Sequence, residues 1–167
     1  MMRAIAIDLD GALGDTRPLW NEFLADAARR FESIAALDPA SLPRDRGAAA
    51  EELDAWAAGG VGDWRAALER FAEDRVPVFL RPDGEASAAL RSLASGGIRL
   101  GVFTDAPEPL GRIALAHLGA ERRVTVLEAG AGAQERLLER LGPGTTLVSS
   151  REDLVRISRS AGPPAPR

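Results

Sequence analysis

The sequence predicts an α/β fold in which a parallel sheet is wrapped by helices and interrupted early by an inserted helical segment. Three observations lead there. The chain opens with a short apolar run, Ala4 to Ile7, that ends abruptly in two acids, Asp8 and Asp10. From about residue 81 onward, short apolar runs alternate with amphipathic stretches across short loops, the pattern of parallel strands joined by crossover helices. Between these parts, about 16–80, the apolar spacing is helical, and all three Trp residues (Trp20, Trp56, Trp64) fall inside it.

Composition narrows the classes. At 167 residues and 17.7 kDa the chain makes one domain, or a small core carrying an inserted subdomain. A net charge of −4 and a pI near 5.1 offer no bulk attraction to nucleic acid or to an anionic membrane. All 21 basic residues are Arg, so a site that needs Lys cannot have one. Without Cys there are no disulfides, thiolate metal sites or Cys nucleophiles. The N-terminal apolar run is too short for a signal-peptide core, and no stretch approaches a membrane span, so a cytoplasmic location is expected.

The elements follow in order. Two Ile residues in a short apolar run read as a buried strand. On that strand the i, i+2 spacing of Asp8 and Asp10 puts both carboxylates on one face, about 7 Å apart, and Gly11 lets the backbone turn away. Thr16 or Asp15 can cap a first helix with Pro18 in its opening turn, and Leu19, Phe23, Leu24, Ala27, Phe31 and Ile34 carry it to about residue 36. A second helix is expected over 48–58. A third, capped by Asp63, carries Trp64, Ala67, Leu68 and Phe71. The three Trp residues are the core of a small bundle, or else line a pocket. The alternating pattern resumes with a helix over 85–95, a strand over 98–103 ending in Thr104-Asp105, and a helix over 108–118. A strand over 124–127, a helix over 134–141, a strand over 145–148 and a helix over 151–160 complete it. The tail, 161–167, is expected to be disordered.

Asp8-Leu9-Asp10-Gly11-Ala12-Leu13-Gly14-Asp15-Thr16 resembles the first motif of the haloacid dehalogenase superfamily, in its phosphoglycolate-phosphatase-like branch. The one departure is Ala12, where that family usually carries Thr. The resemblance implies a Rossmann-like core, 1–15 plus 81–160, with a helical cap, 16–80, closing over the site. It also implies a magnesium-dependent phosphomonoester hydrolase acting on a small phosphorylated metabolite. Asp8 is then the nucleophile that becomes an aspartyl phosphate, and Asp10 the general acid and base. Thr104 matches the second motif and binds a phosphoryl oxygen, with the backbone N–H of Asp105 and the following helix start adding donors. A carboxylate at 105 is unusual beside a dianion, where related sequences often carry Asn.

The remaining motifs depart further. The third should place a Lys, occasionally an Arg, near the end of the third strand. That position falls near Glu128, and no basic residue lies between Val124 and Gln134. Arg136 could reach back only from a helix that starts beside the site; otherwise an Arg from elsewhere, such as the cap, must replace the Lys. The fourth motif is represented by Val148-Ser149-Ser150-Arg151-Glu152-Asp153, and the resemblance implies a magnesium ion held by Asp8, the backbone carbonyl of Asp10 and Asp153. The competing reading of that stretch is a Ser cap with two acids in the first helical turn. The alternative function is a catalytically silent relative serving as a binding or regulatory module, with a protein partner. His117 lies on a helix away from every motif.

Overall fold

The computed structural model describes residues 4–162, so most of the expected disordered tail, 163–167, lies outside the described residues. The elements run β1 (Ala4–Asp8), α1 (Arg17–Arg30), α2 (Arg46–Ala57), α3 (Trp64–Phe79), α4 (Gly84–Ser95), β2 (Arg99–Thr104), α5 (Glu108–His117), β3 (Val126–Ala129), α6 (Ala133–Leu141), β4 (Thr146–Val148) and α7 (Arg151–Ser160). A five-residue π-helical turn, Leu9–Leu13, follows β1, and a 3-10 turn, Pro39–Ser41, lies between α1 and α2. The four strands are parallel in the order β3-β2-β1-β4. The predicted α/β architecture is therefore the observed one. The strand order reverses at β1, which puts the carboxyl end of that strand at the crevice where open α/β sheets take their ligands.

Strand alternation divides the packing. Ile5, Ile7, Leu100 and Val102 face one side, where they meet Leu90, Leu93, Leu110 and Leu154. Ala4, Ala6 and Phe103 face the other, where α6 lays Leu137 and Leu141 against them. The larger core does not stop at the sheet. It runs without a break into α1, α2 and α3 through Leu19, Trp20, Phe23, Leu53, Trp64 and Leu68, and α3 packs along α5. Trp20 meets Trp64 edge-on at 6.2 Å and Phe23 meets Phe71 at 5.6 Å, so the aromatics expected as a bundle core serve as one.

Four boundaries differ by two residues or more from the sequence expectation, and one of them is α2, which begins at Arg46 rather than at 48. The first helix stops at Arg30, and the chain then coils through turns in which the Phe31 carbonyl accepts the Ile34 and Ala35 N–H groups, leaving Ile34, counted as an inward position, more than half exposed. Trp56 ties that coil down by donating from Nε1 to the Ala35 carbonyl at 3.0 Å. The third strand lies two residues later than expected, because Thr125 pairs with the Leu100 carbonyl ahead of it, and this moves Glu128 into the strand. The first strand ends at Asp8, so Asp10 sits in the turn rather than on the strand.

Among the described residues no helix is long and apolar enough to cross a membrane. Leu137 is fully buried and is the centre of the smaller core on the α6 face. Leu137→Ala is expected to cost about 2–5 kcal/mol, read by urea denaturation.

Candidate active site

The pleat argument that paired Asp8 with Asp10 does not hold, because only Asp8 belongs to β1. The two meet for another reason. The Asp8 carboxylate caps the π-helical turn by accepting the Asp10 backbone N–H at 3.1 Å, and the turn then folds Asp10 back over the sheet edge. Gly11 permits this close return, since a Cβ there would lie 2.1 Å from the Ser149 carbonyl oxygen at the end of β4. Register brings Asp8 level with Phe103, and Thr104 level with Ala129, so the carboxyl ends of β1, β2 and β3 share one rim.

Asp10 is saturated. One carboxylate oxygen accepts the Thr16 backbone N–H at 2.9 Å and the Thr16 hydroxyl at 2.5 Å. The other accepts the Thr104 hydroxyl at 2.8 Å and Nη2 of Arg46 at 2.6 Å. Thr16, expected as a helix cap, makes no side-chain cap bond; its hydroxyl also accepts Nη1 of Arg46 at 2.6 Å.

Arg46 is the residue that sequence reasoning did not name. It is the first residue of α2 and only 1% exposed, yet it points out of its own helix into the rim of the sheet. Its Nε and Nη2 both donate to Asp105 Oδ1, at 3.0 and 2.8 Å, and its backbone N–H donates to Asp105 Oδ2 at 3.0 Å. Nη2 also lies 3.4 Å from the Thr104 hydroxyl. The helix start carrying Arg46 is pressed against the loop after β3, where a Cβ on Gly47 would meet the Ala131 backbone at 2.7–2.8 Å. Two local signals were present in the sequence. A cation in the first turn of a helix opposes the helix dipole, and Gly in a helix lowers its stability. Such local conflicts concentrate at functional sites.

A cavity of about 710 Å³ opens over this network, walled by Asp8, Asp10, Arg46 and Asp105 below and by Trp20, Leu42 and Arg44 among others above. Trp20 thus serves both the core and the cavity wall. A smaller space of about 290 Å³ continues from Asp8 and Asp105 to the start of α6 at Gly132–Glu135. Burial, followed by the nearby Asp10 charge, raises the Asp8 carboxyl above the ordinary carboxylate value, against the pull of the Asp10 and Gly11 N–H groups. Burial pushes Asp105 up as well, but hydrogen bonds from Arg46 outweigh it and hold Asp105 below its ordinary value.

The other expected positions fall outside this cluster. Glu128 stands at the third-motif position and is paired with Arg140 at 2.7 Å and Arg136 at 3.0 Å, which lower its pKa. Arg136 does reach back to the end of β3, but its remaining donors go to the Ala129 and Ala131 carbonyls rather than into either cavity. Ser150 caps α7, and Asp153 in its first turn is paired with Arg156 at 2.5 Å, as the competing reading of that stretch described. His117 meets the Leu80 carbonyl at 3.0 Å, where α3 gives way to α4. Magnesium needs six well-placed oxygens. Of the expected set, Asp153 is spent on Arg156, and among the described residues no three acid or imidazole groups converge, so the side chains as placed do not complete a site for that ion beside Asp8 and the Asp10 backbone carbonyl.

A family model for haloacid dehalogenase-like hydrolases matches residues 5–161. No curated protein matches the sequence. Among solved structures, CbbY from Rhodobacter sphaeroides in complex with phosphate aligns with a TM-score of 0.64 and 17% identity, over 97% of this chain and 84% of that one. A protein assigned as a beta-phosphoglucomutase from Thermotoga maritima aligns at 0.55 and 16%, over 95% and 99%. At these identities the likeness speaks for the fold alone.

Two outcomes follow from the geometry. Because Asp8 titrates higher in the folded chain than in the unfolded one, the stability linked to its proton is fully present below the unfolded value and is lost as pH rises through the folded value. Asp8→Asn is therefore expected to melt higher than wild type at neutral pH, with the gap closing on acidification. Gly47→Val, which drives a side chain into the Ala131 backbone, is expected to cost about 1–3 kcal/mol in chemical denaturation.

Proposed function

The chain belongs to the haloacid dehalogenase-like hydrolases, and on that premise we propose that it is a phosphomonoester hydrolase acting on a small phosphorylated molecule held in the cavity above Asp8. The observation that carries the proposal is Arg46. The cation that β3 lacks is supplied from the helical insert, as a buried guanidinium between Asp10, Thr104 and Asp105. We assign the insert, 16–80, the role of a cap that covers the site and shapes the substrate cavity. Arg suits this position, because its planar fork satisfies several oxygens at once and stays charged.

In this reading Asp8 acts as the nucleophile. Its carboxylate oxygen forms a bond to phosphorus as the bond to the ester oxygen breaks, leaving an aspartyl phosphate. Asp10 gives a proton to the departing alcohol, then takes one from the water that attacks phosphorus and restores Asp8. Thr104 and Arg46, whose donors rest on Asp10, turn to the phosphoryl oxygens when the ligand enters and hold the charge that spreads over them. The raised Asp8 pKa places its active, ionised form further toward neutral pH than for an ordinary carboxylate.

A second reading, a silent binding or regulatory module, is favoured by one observation. Both oxygens of Asp10 are already filled by neighbours, and Asp153, an implied magnesium ligand, is paired with Arg156 instead. Hydrolysis of para-nitrophenyl phosphate, measured with magnesium present, separates the two. Turnover by wild type is expected, with loss in Asp8→Asn and a drop of about a hundred- to thousandfold in Arg46→Gln. Wild-type rates equal to those of Asp8→Asn would leave only the binding reading.

A further inference from the structure

Asp105 presents an electrostatic contradiction. A carboxylate at the rim of a phosphoryl site repels its ligand, and an amide of the same shape would not. The structure shows what the charge does instead. Asp105 makes three hydrogen bonds to one residue 59 positions away, gripping both the side chain and the backbone N–H at the start of α2. Of the guanidinium's nitrogens, Nε and Nη2 are turned toward Asp105, and that rotation is what delivers Nη2 to Asp10 and toward Thr104. An amide in place of the carboxylate would keep one acceptor and turn its NH₂ against an N–H donor of Arg46. Only a carboxylate satisfies side chain and backbone together, and the charge-assisted contacts it makes are the strong kind.

We propose that Asp105 is a positioning residue: it repels the phosphoryl group directly and aids its binding through Arg46, and the second effect outweighs the first. The inference rests on the phosphatase reading for its ligand class, so the test is built on binding as well as turnover.

The two roles of Asp105 have opposite signs, and they separate when Arg46 is removed. The probe is orthovanadate, a phosphoryl mimic, titrated by calorimetry into wild type, Asp105→Asn, Arg46→Gln and the double variant. In the presence of Arg46, Asp105→Asn is expected to weaken vanadate binding on the order of tenfold, because the guanidinium loses its anchor. In the Arg46→Gln background, Asp105→Asn is expected to tighten binding by roughly twofold or more, because only the repulsion is left to relieve. A merely structural residue gives no such reversal. Tighter binding in both backgrounds makes Asp105 a plain repulsive charge and overturns the proposal, as does no change in either. Asp105→Ala, which sets no amide against the guanidinium, is read the same way and replaces Asp105→Asn should that variant not fold. Para-nitrophenyl phosphate turnover, run on the same four proteins, distinguishes the two levels. Sign reversal in binding with an inactive wild type removes the hydrolase reading and leaves the positioning role standing. An active wild type without the reversal does the opposite. A wild type that neither binds vanadate nor turns over removes both.

Discussion

A single buried guanidinium organises the rim of this molecule. Arg46 is an ion taken almost wholly out of water, which is tolerable only when its donors are met by charged or strongly polar acceptors. Asp10, Asp105, Thr16 and Thr104 meet them, and they come from the turn after β1, the end of β2 and the approach to α1. The requirement runs in both directions. Asp10 is itself nearly buried and would be an unpaired charge without the helix that brings Arg46 to it. Sheet rim and helical insert are therefore joined by a polar constraint in addition to apolar packing.

That arrangement explains an oddity of composition and motif together. The strand end that usually carries the cation carries Glu128 here, compensated locally by Arg136 and Arg140. The buried positive charge at the rim comes from a different element, α2, where Asp105 pairs with it through side chain and backbone.

The parts legible from sequence were those governed by local pattern. The opening strand, its terminal acid, the Thr104 strand end and the alternation after residue 81 all follow from apolar periodicity and Gly or Pro punctuation, and the structure has them close to where they were expected. What escaped were relationships set by chain closure. Arg46 is one of 21 Arg residues, and nothing local separates it from the exposed ones except its setting at a helix start beside Gly47. The role of Thr16 escaped for a similar reason, since a Thr before Pro-containing helix starts reads as a cap until a distant guanidinium is seen to claim its hydroxyl. Asp10 is paired with Asp8 by a strand rule that stops applying two residues too soon.

The unbroken apolar core has a mechanical meaning of its own. A lid on a free hinge can swing because little greasy surface is uncovered when it moves. Here Trp20, Trp64 and Leu68 share one continuous interior with Ile5, Ile7 and Leu100, so lifting the insert away would wet the centre of the whole molecule. The Pro39–Arg44 stretch of the cavity wall contains no buried residue, so shifting it would uncover far less apolar surface than lifting the whole insert.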